Sequence, residues 1–519
     1  MASFTPYTGS WDIRHSAHLL RRTTYGTDYS TLKSFAQKDA ESCVNILFEP
    51  LPMPDPPINV NFENDPDVPI GDTWVDKAVT AGVNGYRTGS LRNWSIELML
   101  SGKANIREKM TMFWHNHFVT ADINDPRFSY IYITQLRKSA TGNFKQLTKD
   151  ITIDPAMLNY LNGRDNTRQA PNENYARELM ELFTLGKGDL AGPGDYTTFT
   201  EEDVKEVAKS LTGWIDIRNE LPIRSEFRQN RHDTTTKRLS HRFGNITIPN
   251  ANANEYSNLI DIIFTRDEVA PFIARKLYRW FVSSHIDESV ETGIITPMAT
   301  IIRDSDYEIA PTLKALFMSE HFYDGCVRGA IIKNPVDFIL NPVNQFSMSF
   351  PADAALKQRV LAGMYQSTAV MQMAMYQAPS VAGWQAYYQE PLYYRMWLNA
   401  ASLPARKLYS DAIGSTGIPY GAFRFQVNVL SLLDQFENAG NPDEVVEQLS
   451  VILFPKSPAP NQVNTLKSVL LSGISAENWK SFYDAYIQDP TSNIRRQPVE
   501  SRMRLLIVYM MRMPEFHLS

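Results

Sequence analysis

Eight of the nine histidines, at positions 15, 18, 115, 117, 232, 241, 285 and 321, precede residue 322, so imidazole chemistry belongs to the first two thirds of the chain. The densest cluster is Phe113-Trp114-His115-Asn116-His117-Phe118. Aromatic neighbours there would desolvate the rings and favour neutral imidazole, the form that binds metal. Helical geometry sets a condition on such a site. Positions two apart point in different directions, so His115 and His117 can share one ion only where a helix ends or unwinds, or where the segment is extended. Within a helix only His117 joins the face of Met110, Phe113 and Trp114, and the competing reading makes one histidine a hydrogen-bonded core residue.

Carboxylates come next. In the run from Asn172 to Phe183, the residues Asn174, Glu178 and Glu181 share one helical face beside Arg177. That spacing suits a hard cation or a general base, with Arg177 holding one carboxylate ionised; the plainer alternative is a solvated surface. A third group, Arg231-His232-Asp233 with Lys237 and His241, lies in an irregular stretch. There a His-Asp pair can ligate metal, or Asp233 can simply cap its own turn. Near the start, Arg21 and Arg22 can bind an anion or pair with carboxylates between helices. Together these groups suggest a divalent-ion site with His115, His117 and His232 as ligands and Glu178, Glu181 and Asp233 as catalytic carboxylates. Arg21, Arg22, Arg177, Lys237 and Trp384 are the binding candidates. Such a site would activate water or a substrate oxygen in a hydrolase or transferase. The chain has no Glu-x-x-His pair, no His-Glu-x-x-His, no nucleophile elbow, and no phosphate loop or other nucleotide-cofactor motif.

The elements that must position these groups are helical. Leu32, Phe35, Ala36, Cys43, Val44 and Leu47 recur at helical spacing until the proline-rich stretch 50–69 ends the helix. Further helices are expected over about 91–118, over about 172–185 ending at Gly186, from Thr200 to Gly213, and through Val269, Phe272, Ile273, Lys276, Leu277 and Trp280. The fold class expected is mainly α, a multi-helix globular array with a short irregular or β-hairpin insertion near residues 218–250. Four regions are expected: N-terminal helices with the Arg-Arg turn (1–48), a proline-rich connection (49–88), a helical core carrying the site (89–330) and a C-terminal helical subdomain (331–519). The 519 residues carry a net charge of -6, which gives no reason to expect a nucleic-acid partner. No apolar run approaches the roughly 18 residues of a membrane span. The two cysteines are too few for a disulfide framework and read as buried apolar groups. The opening Met-Ala-Ser-Phe-Thr-Pro has no basic stretch followed by an apolar one, so the sequence shows no export signal and leaves a cytoplasmic location open.

Several strings, in order, resemble the signatures of the domain-of-unknown-function 1800 family: His18 to Gly26, Arg107 to Phe118, Asn172 to Gly186, Asp203 to Trp214, His232-Asp233 with Lys237, Lys333-Asn334-Pro335, Pro379 to Trp384, and Met513 to Phe516. They span nearly the whole chain. The resemblance implies a bacterial protein, exported to the periplasm, surface or exterior, and encoded beside a second uncharacterised family that resembles sulfatases and alkaline phosphatases. A protein of that second family is the implied partner, and an envelope or extracellular glycan or polymer the implied substrate. The family supplies no catalytic residue. The alternative is a non-enzymatic envelope or extracellular assembly or binding protein whose polar signatures form a network between helices. For that reading Tyr387, Tyr388, Tyr393, Tyr394 and Trp397 form the best patch for stacking on sugar.

Overall fold

Asp12, Asp28, Asp39, Asp125, Asn143, Asp154, Asn172 and Thr200 each open a helix by accepting backbone N–H groups of its first turn. These are donors that a helix start leaves without intrahelical partners. The computed structural model describes residues 2–102 and 104–519, and one of these caps explains a departure from the periodicity. The stripe from Leu32 to Leu47 is two helices, Tyr29–Ala36 and Ala40–Leu47, because Asp39 starts a new one. The 91–118 block also divides, into Asn84–Met99 and Arg107–His117, with no side-chain cap at either start. Thr200 and Asp203 make a reciprocal capping box for Glu201–Ser210, and Gly213, at φ +97°, turns the chain into a strand.

The fold is mainly α, and among the described residues its sheets are all two-stranded hairpins. Two flank or fill the expected insertion: Trp214–Ile217 pairs with Arg224–Phe227, and Lys237–Arg238 with Thr247–Ile248. Hairpins at Leu190–Gly192 with Asp195–Tyr196 and at Ile418–Tyr420 with Phe423–Phe425 were not expected. Buried apolar residues from Ala17 to Phe516 form one connected cluster. Cys43 is buried as expected, but Cys326 is exposed. Among the described residues no helix is long and apolar enough to cross a membrane.

Helix Arg107–His117 is pinned in the core. Trp114 is fully buried, stacked on Phe144, with its indole N–H donating to the Ala140 carbonyl at 2.8 Å. Beside this helix the chain from about 371 to 401 forms only turns and short 3-10 segments, Gln385–Tyr387 and Tyr393–Trp397. The last turn of the helix holds that irregular segment. The Tyr376 N–H donates to His115 Nε2 at 2.9 Å, and the Trp384 N–H to Asn116 Oδ1 at 3.0 Å.

Gly383 makes the second contact feasible. At φ +88°, an added Cβ would lie 2.4 Å from Asn116 Oδ1 and 2.6 Å from its carbonyl oxygen. Gly71, at φ +95°, faces open space. Both alanine substitutions meet the same backbone penalty, so their difference isolates the clash. Chemical denaturation should show Gly383→Ala losing about 1–3 kcal/mol more than Gly71→Ala; equal losses would mean that this contact is not a constraint.

Candidate functional site

The histidine helix ends at His117, with Phe118 at its cap, yet its two imidazoles diverge. His115 Nε2 accepts from Tyr376, while Nδ1 lies 3.2 Å from the Tyr132 hydroxyl. Burial pushes its pKa down to about 3. His117 joins the Phe113 and Trp114 face as expected. Its Nε2–H donates to the Phe183 carbonyl at 3.0 Å, leaving Nδ1 to accept from Lys276 Nζ at 3.2 Å. Burial, followed by the charge of Lys276, holds it well below the usual imidazole range. Both nitrogens of each ring have protein partners, so the expected shared ligation does not arise.

Phe183 belongs to an unanticipated element. Helix Glu173–Glu178 widens into a π-helix, Leu179–Thr184, before Gly186 ends the run at φ +76°. The Leu182 carbonyl accepts from Lys276 Nζ at 2.8 Å. The carboxylates are turned elsewhere. Glu181 lies 3.6 Å from Lys187, and Arg177 pairs with Glu201 at 2.7 Å and Glu173 at 3.5 Å, not with Glu178 or Glu181. Glu178 is partly buried, and burial, followed by the charge of Glu181, raises its pKa.

His232 is fully buried in a third place, where its Nδ1–H donates to the Thr212 carbonyl at 2.9 Å and its Nε2 lies 3.1 Å from Glu255. Glu255 also meets Lys237 Nζ at 2.5 Å, and all three side chains are closed to solvent. Burial opposes charging of His232, but hydrogen bonds to Glu255 and Thr212 outweigh it and raise the pKa. Asp233 accepts from the Thr235 N–H at 2.8 Å and so forms the turn that was the alternative reading. Glu255 was missed by sequence because its partners lie 23 and 18 residues away with no local pattern to join them.

The other binding candidates are structural as well. Arg21 donates to the carbonyls of Val451 and Phe454 at 3.1 and 3.0 Å. Arg22 donates to those of Phe281, Val282 and Val327 at 3.3, 3.2 and 2.8 Å. Burial pushes their guanidinium groups down to about 10 and about 9. Trp384 is buried with its ring edge against His115. Among the described residues, no group of three or more His, Cys, Asp or Glu is placed to hold a metal ion. The set His115, His117, His232, Glu178, Glu181 and Asp233 is therefore dispersed, its members held by separate neighbours.

A different site opens where the irregular segment meets the end of helix Val269–Phe281. A cleft of about 490 Å³ is lined by Arg279, Ser283, His285, Glu390, Tyr393 and Arg395, among others. Arg279 has no carboxylate within ion-pair distance among the described residues, and its buried Nε has no hydrogen-bond partner. Its guanidinium lies 5.5 Å from the Tyr393 ring centre, and its backbone carbonyl accepts from the Tyr394 hydroxyl. Glu390 is engaged by the Tyr393 hydroxyl at 2.7 Å, and Arg395 lies in the cleft wall without an ion-pair partner among the described residues. Part of the expected tyrosine patch thus forms a cleft wall, whereas Trp397 is buried.

The buried triad predicts a pH dependence. A raised His232 pKa means that its stabilisation is fully present below the ordinary value of 6.5 and is lost as pH rises through the folded value. The melting-temperature gap between the native chain and His232→Gln should therefore narrow from about pH 5.5 to about pH 8.5; a constant gap would contradict a charged pair. Glu255→Ala removes the closer carboxylate of the buried Lys237 and the hydrogen-bond partner of His232 Nε2, and should cost about 3–5 kcal/mol in urea denaturation.

Set against known proteins, residues 18–518 match the family described as protein of unknown function (DUF1800). No curated protein and no solved structure matches the chain.

Proposed function

The chain belongs to the DUF1800 family, and from that premise we propose that it is a non-enzymatic binding protein whose cleft at Arg279 takes an acidic glycan. One observation carries the reading: Arg279, an arginine with a buried Nε and no ion-pair partner among the described residues, lines a cleft of about 490 Å³. Arg21, Arg22 and Arg406 also leave Nε without a partner, but each commits a terminal nitrogen to backbone carbonyls. The Arg279 guanidinium is not committed in that way. It offers a planar fork to a carboxylate or sulfate, and the volume falls in the range of small-ligand sites. Arg395 adds a second cation. Serine hydroxyls and the Tyr393 ring supply hydrogen bonds and an apolar face, the mixture that sugars need.

An exported glycan-binding protein is also consistent with the alternative drawn from the sequence. The polar signature residues then hold helices together, and recognition falls to the less regular backbone between them. A metal-dependent hydrolase finds less support, because its six expected groups are not gathered.

Calorimetric titration with an oligogalacturonate and a neutral oligoglucoside tests this. The acidic oligomer should bind, more weakly as salt increases, and Arg279→Ala should reduce its affinity about 10- to 100-fold, the loss of one or two charge-assisted hydrogen bonds. Failure of the acidic oligomer to bind, or binding indifferent to Arg279→Ala and Arg395→Ala, overturns the proposal.

A further inference from the structure

We propose that a groove beside the proline-rich stretch binds the aliphatic chain of an amphiphile. Helix Asn84–Met99 packs against helix Ala354–Val370, and with the chain from Pro54 to Val60 they bound an open cavity of about 650 Å³. Pro54, Pro57, Ile58, Trp94, Leu98 and Phe350 make its wall largely apolar, and Ile58 is 43% exposed. Water held against such a wall favours an apolar occupant. The volume falls within the roughly 300–1,000 Å³ of small-ligand sites.

The hydrogen-bonding groups of the wall decide between occupants, because most are already engaged within the protein. Prolines 54, 56 and 57 have no N–H to offer. The carbonyls of Asp55, Pro57 and Ile58 accept from the Trp94 indole, the Thr73 hydroxyl and the Ser90 hydroxyl at 2.9, 2.9 and 3.0 Å. Gln358 Oε1 accepts from Asn93 at 2.7 Å, and Lys357 donates to Glu97 at 2.5 Å. Asp55 and Ser101 are exposed and stay in water.

A peptide laid in this groove would bury N–H and C=O groups opposite few free partners, a cost that a hydrocarbon does not carry. An aromatic or sugar ring needs an open face to stack on. The Arg137 guanidinium already covers Trp94, 4.7 Å from its ring centre. An aliphatic chain requires neither. Since the wall reserves no group for a polar head, the head remains in solvent and its charge has little influence.

Calorimetric titration of the intact chain with octanoate, decanoate, dodecanoate and decanol, each below its micellar or solubility limit, tests this. Affinity should rise about fourfold per added methylene, the transfer of one CH₂ from water, and decanol should bind as tightly as decanoate. Dodecanoate brominated at its terminal carbon should quench tryptophan fluorescence, and Trp94→Phe should remove that quenching. Ile58→Glu, at an exposed position, should weaken dodecanoate at least about tenfold with the melting temperature unchanged. Absence of binding, affinity indifferent to chain length or to Ile58→Glu, or quenching that survives Trp94→Phe overturns the proposal. Displacement of dodecanoate by a blocked peptide of alternating leucine and serine overturns it as well, in favour of a peptide site.

Discussion

A helix leaves its last carbonyls without intrahelical partners, and a core built from many helices must satisfy those it buries. In this protein cationic side chains do much of that work. Arg21 holds the end of Pro442–Leu453, Arg22 the end of Val269–Phe281, and Lys276, joined by the neutral ring of His117, the end of the π-helix. Arg504 reaches the Gly414 carbonyl at the end of Ser402–Gly414. The positive side chain also meets the negative end of the helix dipole, so its burial is partly offset. These bonds cross long stretches of chain. Arg21 and Val451 are 430 residues apart, so one interaction type joins the N-terminal helices to the C-terminal ones.

The same constraint explains why the most conspicuous polar residues are poor site candidates. Once a guanidinium is committed to two or three carbonyls, it has little left for a ligand. Lys333 gives its ammonium to the Phe516 carbonyl, and Arg406 donates to the carbonyl of Lys333. Burial lowers the pKa of both, Arg406 to about 9. Arg279 differs in kind, because its guanidinium faces a cleft and is not spent on a helix end.

Local signals in the sequence correctly located several ends: the helix start at Thr200, Gly186, and the turn at Gly213. They also placed His117 on the face of Phe113 and Trp114. The π-helix left no periodic trace, since a six-residue run is too short for its period to be told from that of an α-helix. The Arg21-Arg22 pair was readable as a candidate for binding between helices, but residue types do not say whether a guanidinium will meet a carbonyl, a carboxylate or a ligand. Glu255 could be found only in three dimensions. Lys276 did carry a signal. It is a lysine set within the apolar stripe of Val269, Phe272, Ile273, Leu277 and Trp280, a position where an ammonium must be desolvated or find unusual partners.

The histidine signature still bears on the cleft, through the backbone. A segment as irregular as 371–401 cannot satisfy its own polar groups by regular hydrogen bonding, so side chains elsewhere must hold it. His115 takes the N–H of Tyr376, Asn116 takes that of Trp384, and Asn334 donates to the Tyr387 hydroxyl at 3.0 Å. Tyr387 stacks on Trp280, and Tyr394 donates to the Arg279 carbonyl. These contacts run in order along the segment and end at the wall of the cleft, with Glu390, Tyr393 and Arg395. Loss of the His115 or Asn116 contact would free the segment at its start, so the effect on the cleft would be positional rather than chemical. Residues that touch no ligand can thus be essential to a site, because they fix the backbone from which its side chains project.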